Sequence, residues 1–151
     1  MIEALELCKY YGKVNAVKSL SFAIKPGEIV GLLGPNGAGK TTTMRMLTTF
    51  IAPSSGTATI AGFDIQKDAA RVRKEIGYLP ESPPLYPEFS VREYLVFCAK
   101  VRGVAHKAVK SAVDSVIERC VLGPVSDRLC SQLSRGYRQR VGLAQALVHN
   151  P

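Results

Sequence analysis

The chain has 151 residues, 46% of them hydrophobic and 21% charged, the profile of a globular protein with room for one sizeable core. No apolar run approaches the ~20 residues that cross a bilayer, and the N-terminus alternates charge with apolarity (Ile2-Glu3-Ala4-Leu5-Glu6-Leu7), unlike a signal peptide. The net charge of +8 suits an anionic partner, but its cations are scattered and no aromatic-interleaved basic stripe is present, so no nucleic acid is expected.

In chain order, Ile2 to Cys8 alternates and predicts a strand, with a turn at Tyr10-Tyr11-Gly12. Leu20 to Ile24 predicts a second strand, ended by Pro26-Gly27. The apolar run Glu28 to Leu33 predicts a buried third strand. From Lys40 to Phe50, Met44, Leu47 and Ile51 approach helical spacing. Thr57 to Ile60 is β-branched and strand-like, and the early strands are expected to pair antiparallel. A short helix over Asp68 to Lys74 and a strand at Ile76 to Leu79 follow. Glu81 to Pro87 holds three prolines in seven residues, which excludes helix and central strand and leaves a stiff connector.

The period then becomes helical. Ser90-Val-Arg-Glu93 is a capping box opening a helix that carries Val91, Tyr94, Leu95, Cys98 and Val101. A second helix carries Val109 to Cys120, and a third runs from about Gly136 to Val148. Cys8, Cys98, Cys120 and Cys130 show no C-x-x-C spacing and are expected as buried, reduced thiols.

The chemistry concentrates at Gly34 to Thr41, GPNGAGKT, which fits the phosphate-loop pattern G-x-x-x-x-G-K-[ST]. Gly34, Gly37 and Gly39 let backbone approach an anion closely. With Asn36 and Ala38 they aim N–H groups at the α- and β-phosphates, and Pro35, which has no N–H of its own, shares the loop as a cofactor-binding position. Lys40 is placed to reach the β/γ-phosphates, and the Thr41 hydroxyl to ligate Mg²⁺. The predicted strand before the loop and helix after it are the context the motif requires. No N-K-x-D run specifies guanine.

Residues Leu133 to Arg140 read LSRGYRQR. This resembles the signature sequence of ATP-binding cassette (ABC) ATPases. Leu7 to Gly12 with Ala16-Val17 resembles the family's opening strand and adenine-stacking loop, and Ile76 to Glu81 the strand leading into its Q-loop. The Tyr-Leu-Pro-Glu wording ending at Glu81 and the Arg-Gly-Tyr-Arg-Gln-Arg wording starting at Arg135 are most similar to ATPase subunits of the ABC-2 exporter group. The resemblance covers the whole chain. It implies an α/β fold of the P-loop NTPase, ABC ATPase type, with an antiparallel β subdomain and a helical signature subdomain, truncated before the Walker B strand. It also implies a nucleotide-binding core over 1–80, a Q-loop connector over 81–89 and a helical subdomain over 90–151.

By the same resemblance Thr42 joins the loop as an ATP contact, and Tyr11 stacks on adenine, with Tyr10 the competing candidate. Glu81 stands where most members have Gln, so it is either a ligand of Mg²⁺ and water or a surface carboxylate. Leu133, Ser134, Arg135, Gly136 and Tyr137 form the signature. Ser134 is placed to N-cap the last helix. A well-capped helix explains Ser-x-Gly by itself; the family uses the same groups to bind the γ-phosphate of the opposite subunit's ATP. His106 and His149 do not match the family's switch histidine, and His149 falls near a helix end, where a cation is favoured.

In the family a strand ending in Asp-Glu would follow Asn150-Pro151, supporting Mg²⁺ and polarising the attacking water. Those carboxylates are absent from these residues, so the catalytic set is incomplete: ATP binding is expected and hydrolysis weakened. The implied protein is the ATP-binding subunit of an exporter, cytoplasmic, paired with a second ATPase subunit and held at the membrane by a permease. The alternative is a nucleotide-binding module without hydrolysis that associates with a complete ATPase.

Overall fold

The computed structural model describes residues 1–151 as two compact units, Met1–Glu75 and Ile76–Pro151. In the first, strands β1 (Ile2–Tyr11) and β2 (Val14–Ile24) form an antiparallel hairpin. β3 (Ser55–Ile60) and β4 (Phe63–Asp64) complete a four-stranded sheet in the order β2-β1-β3-β4, antiparallel throughout as expected. β1 runs further than its alternation predicts, and the turn is Gly12-Lys13 rather than Tyr10-Tyr11-Gly12. A two-residue hairpin loop needs positive φ, which Gly12 supplies at 56°. Ala4, Leu7, Val17, Ala58 and Ile60 are buried on the sheet, with Met46 and Leu47 of helix α1 (Lys40–Leu47).

α1 buries Thr43, Met46 and Leu47, a stripe of i, i+3, i+4. The stripe of Met44, Leu47 and Ile51 anticipated from spacing does not form. Met44 is exposed, and the helix stops before Ile51, where the Thr48 hydroxyl bonds back to the Met44 carbonyl at 2.8 Å. The predicted strand at Glu28 to Leu33 is also absent. These residues have no ladder partner, and Ile29 is 102% exposed. Apolarity marked the segment correctly as one that wants burial, but a strand exists only beside another strand. After the sheet, α2 (Ala69–Glu75) forms one residue later than predicted.

The second unit is helical. α3 (Val91–Val101), α4 (Val109–Arg119) and α5 (Arg135–Leu147) enclose a core in which Leu95, Val113, Leu122 and Val141 are fully buried. Each such side chain contributes about 1.5–3 kcal/mol on leaving water. The capping box forms as predicted. The Glu93 amide donates to Ser90 Oγ at 3.2 Å, and the Ser90 amide to Glu93 Oε2 at 2.8 Å. The connector after Pro80 is neither helix nor ladder, as its prolines require.

The strand predicted at Ile76 to Leu79 is not a strand, because side chains of α5 and of the residue after its C-cap take two of its carbonyls. His149 Nε2 donates to the Ile76 carbonyl at 3.1 Å, and Gln145 Nε2 to the Tyr78 carbonyl at 2.9 Å. Gln139 Nε2 donates to the Glu81 carbonyl. Side chains thus satisfy carbonyls that a ladder would otherwise take. The approach is close: a Cβ on Gly142 would lie 2.5 Å from Pro83 Cγ and 2.7 Å from Leu79 Cδ1. All four cysteines are free and buried, as expected. Burial pushes the thiols of Cys98, Cys120 and Cys130 up, which keeps them protonated and unreactive.

Candidate nucleotide site

The phosphate loop occupies residues 34–39 and opens directly into α1. Gly37 and Gly39 have φ of 83° and 82°. Gly39 is required twice over. Its backbone is left-handed, and a Cβ there would lie 2.3 Å from the Ala16 carbonyl and 3.0 Å from Val17 Cγ2. β2 therefore sets the position of the loop through backbone contact. No side chain caps the N-terminus of α1 and no acidic residue lies in its first turn, so its leading amides and positive end stay available to an anion.

Lys40 Nζ donates to the carbonyls of Gly34 (2.6 Å) and Pro35 (2.7 Å), which holds the ammonium over the loop. Thr41 is exposed, Thr42 half-buried and Thr43 buried. A cavity of about 510 Å³ lies between the loop and β2, with Asn15, Val17, Gly37, Lys40 and Thr43 in its wall. Asn15 Oδ1 is buried there without a hydrogen-bond partner. No pattern in the sequence marks Asn15, because its relevance depends on a wall shared by β2 and the loop. The donor set of backbone amides, one ammonium and a helix start fits a polyphosphate.

Tyr11, at the end of β1, is exposed, and Lys9 Nζ lies 5.5 Å from its ring centroid. Tyr10 is engaged elsewhere. Its phenol sits against the Cys8 thiol, which pushes the phenol's pKa up. Cys8 is lowered in turn, first by the Ser55 hydroxyl and then by the Ser19 amide, which donates to its sulfur at 3.1 Å. The two tyrosines thus differ in their surroundings, which adjacent positions in the sequence do not reveal.

In the second unit, Ser134 precedes α5 with extended backbone, and its hydroxyl accepts from the Tyr137 amide at 3.4 Å. Leu133 is buried and anchors the turn. Arg138 Nε donates to the Leu133 carbonyl at 3.0 Å, and the Arg140 guanidinium lies 5.5 Å from the Tyr137 ring. Arg135 and Gly136 are exposed, and a Cβ on Gly136 would meet nothing within 4 Å. Glu81 is exposed; its carbonyl is held by Gln139, a link from connector to signature helix that the sequence did not suggest. Thr41 belongs to the first unit and Glu81 to the second. No group of three His, Cys, Asp or Glu gathers in the chain. No helix is long and apolar enough to cross a membrane.

The phosphate loop and the capped signature helix are the two landmarks on which comparison with known proteins turns. The ABC transporter family matches residues 17–151. The linearmycin resistance ATP-binding protein LnrL of Bacillus subtilis is 37% identical over 151 residues, 100% of this chain and 49% of that protein. The Nod factor export ATP-binding protein I of Paraburkholderia xenovorans is 41% identical over 150 residues, 99% of this chain and 49% of that protein. A solved ATP-binding subunit of an ABC transporter superposes with a TM-score of 0.88 at 27% identity, covering 99% of this chain and 62% of that one. The chain thus spans about half the length of the curated relatives it matches. The match covers both landmarks in sequence and in fold, and the chain belongs to the ABC transporter family.

Proposed function

We propose that this chain is the ATP-binding part of an ABC exporter subunit, coupling ATP binding and hydrolysis to transport. The observation that carries the reading is the Gly39–Lys40 junction. There a left-handed glycine packed on the Ala16 carbonyl delivers an uncapped helix start and an ammonium to one point. In this reading residues 34–42 hold the triphosphate and Tyr11 stacks on adenine. Thr41, through its hydroxyl, and Glu81 are the residues that would hold Mg²⁺, which would supply charge neutralisation at the phosphates. Residues 133–137 face the ATP of a second subunit. Gly136 supports that role. A Cβ there would meet nothing within 4 Å, so the start of α5 is open to an approaching anion.

The functional division is a core over 1–80, a connector over 81–89 that touches a permease, and a helical subdomain over 90–151. In this reading a permease holds the subunit on the cytoplasmic face of the membrane. The test is calorimetric binding of MgATP to wild type and Lys40→Ala. We expect binding that the substitution reduces at least tenfold; no binding, or no difference, overturns the reading. Binding without turnover in the presence of the permease would shift it to a module that binds nucleotide without hydrolysing it.

A further inference from the structure

Lys9 lies two residues before Tyr11 on β1 and carries no assigned role, yet three contacts tie it to the nucleotide site. Its ammonium donates to the Ala52 carbonyl at 2.7 Å, which fixes the charge at the end of a flexible stem. The same ammonium sits 5.5 Å from the centroid of the Tyr11 ring, within cation–π range. Its backbone pairs with Val17 in β2, and Val17 is one of the two residues against which Gly39 packs. The strand therefore holds Lys9, the ring it touches and the phosphate loop in one frame.

We infer that Lys9 is a positioning residue for the base: pinned by Ala52, it occupies one face of Tyr11 and presents the other to adenine. A ring with a cation on one face has only its opposite face left for stacking, so the orientation of the incoming base is selected. An exposed tyrosine loses rotamer freedom on stacking, and a ring already held loses less. The inference rests on the proposal that Tyr11 stacks on adenine. It adds a residue whose effect is confined to the base and absent from the phosphates.

That confinement sets the test. ATP and inorganic tripolyphosphate are titrated, each with Mg²⁺, into wild type, Lys9→Met, Lys9→Arg, Tyr11→Ala and Tyr11→Ala/Lys9→Met. A cation–π contact at an exposed site corresponds to roughly two- to fivefold in affinity. We expect Lys9→Met to weaken ATP by about that factor and to leave tripolyphosphate unchanged, Lys9→Arg to restore ATP, and Lys9→Met to cost nothing further when Tyr11 is already Ala. Equal losses for both ligands would show that Lys9 acts only as one more positive charge and would overturn the inference. An undiminished ATP affinity, or an undiminished loss in the Tyr11→Ala background, would overturn it as well. Failure of the underlying reading looks different: wild type then binds neither ligand, or binds both with no dependence on Lys40.

Discussion

At the scale of single residues, two glycines make opposite demands and so separate folding from function. Gly39 is fixed by its own fold. An Ala there would hold a left-handed backbone, at about 1–2 kcal/mol, with its methyl 2.3 Å from the Ala16 carbonyl. Gly39→Ala is expected to lower the unfolding midpoint and to abolish ATP binding together, read by thermal unfolding and calorimetry on one sample. Gly136 stands on an unobstructed helix start. Gly136→Ala is expected to leave unfolding unchanged or raise stability by up to about 1 kcal/mol. Its cost should appear in ATP-dependent pairing of two subunits, measured by sedimentation. A third residue, His149, responds to pH. Burial first, and the Arg102 charge second, hold its imidazole below the ordinary value, against the Ile76 carbonyl contact that raises it. The Nε2–H bond to that carbonyl leaves Nδ1 buried without a partner, so a second proton would have no acceptor. The neutral ring is thus preferred, where proximity to a helix end alone favours a cation. Because the folded value lies below the unfolded one, the unfolded chain takes up the proton first. Stability is full above the unfolded value of about 6.5 and falls as pH drops toward the folded value. The unfolding midpoint is expected to decline on acidification from about pH 7, and less so in His149→Gln.

At the scale of elements, the legible parts were those whose physics is local. The capping box was readable because Ser90 and Glu93 satisfy each other's amides within one turn. The start of α5 was readable because Ser134 must cap it. Ser90→Ala is accordingly expected to cost about 1 kcal/mol, measured by denaturant unfolding of the protein. The two strands that failed to appear depend on partners far along the chain. Glu28 to Leu33 finds none, and in Ile76 to Leu79 the carbonyls of Ile76 and Tyr78 are taken by His149, just past α5, and by Gln145 of α5. No propensity scale contains that second outcome, because Gln145 and His149 are 67 and 73 residues away from their acceptors. The site divides the same way. Gly34 to Thr41 is a contiguous string and declares itself, whereas Lys9 and Asn15 matter only once β1 and β2 are laid beside the loop.

At the scale of the molecule, the exposed run ahead of the phosphate loop governs how residues 1–151 behave alone in solution. Ile29, Val30, Leu32 and Leu33 are exposed in sequence on a segment with no ladder partner. Apolar side chains and unpaired backbone together form a template for another copy. The net charge of +8 opposes that association by mutual repulsion, which salt screens. The two terms change oppositely with ionic strength: raising salt removes the repulsion and leaves apolar contact intact. Association is therefore expected to strengthen as salt rises, the reverse of an assembly held by ion pairs. Ile29→Lys introduces a charge at the start of the run without disturbing a neighbour, since its side chain is fully exposed. Val101→Lys adds the same charge to an exposed position at the end of α3. Light scattering over a range of salt and protein concentration should show Ile29→Lys as monomer where wild type and Val101→Lys associate. Equal suppression by both substitutions would assign the effect to net charge alone and remove the run from the explanation.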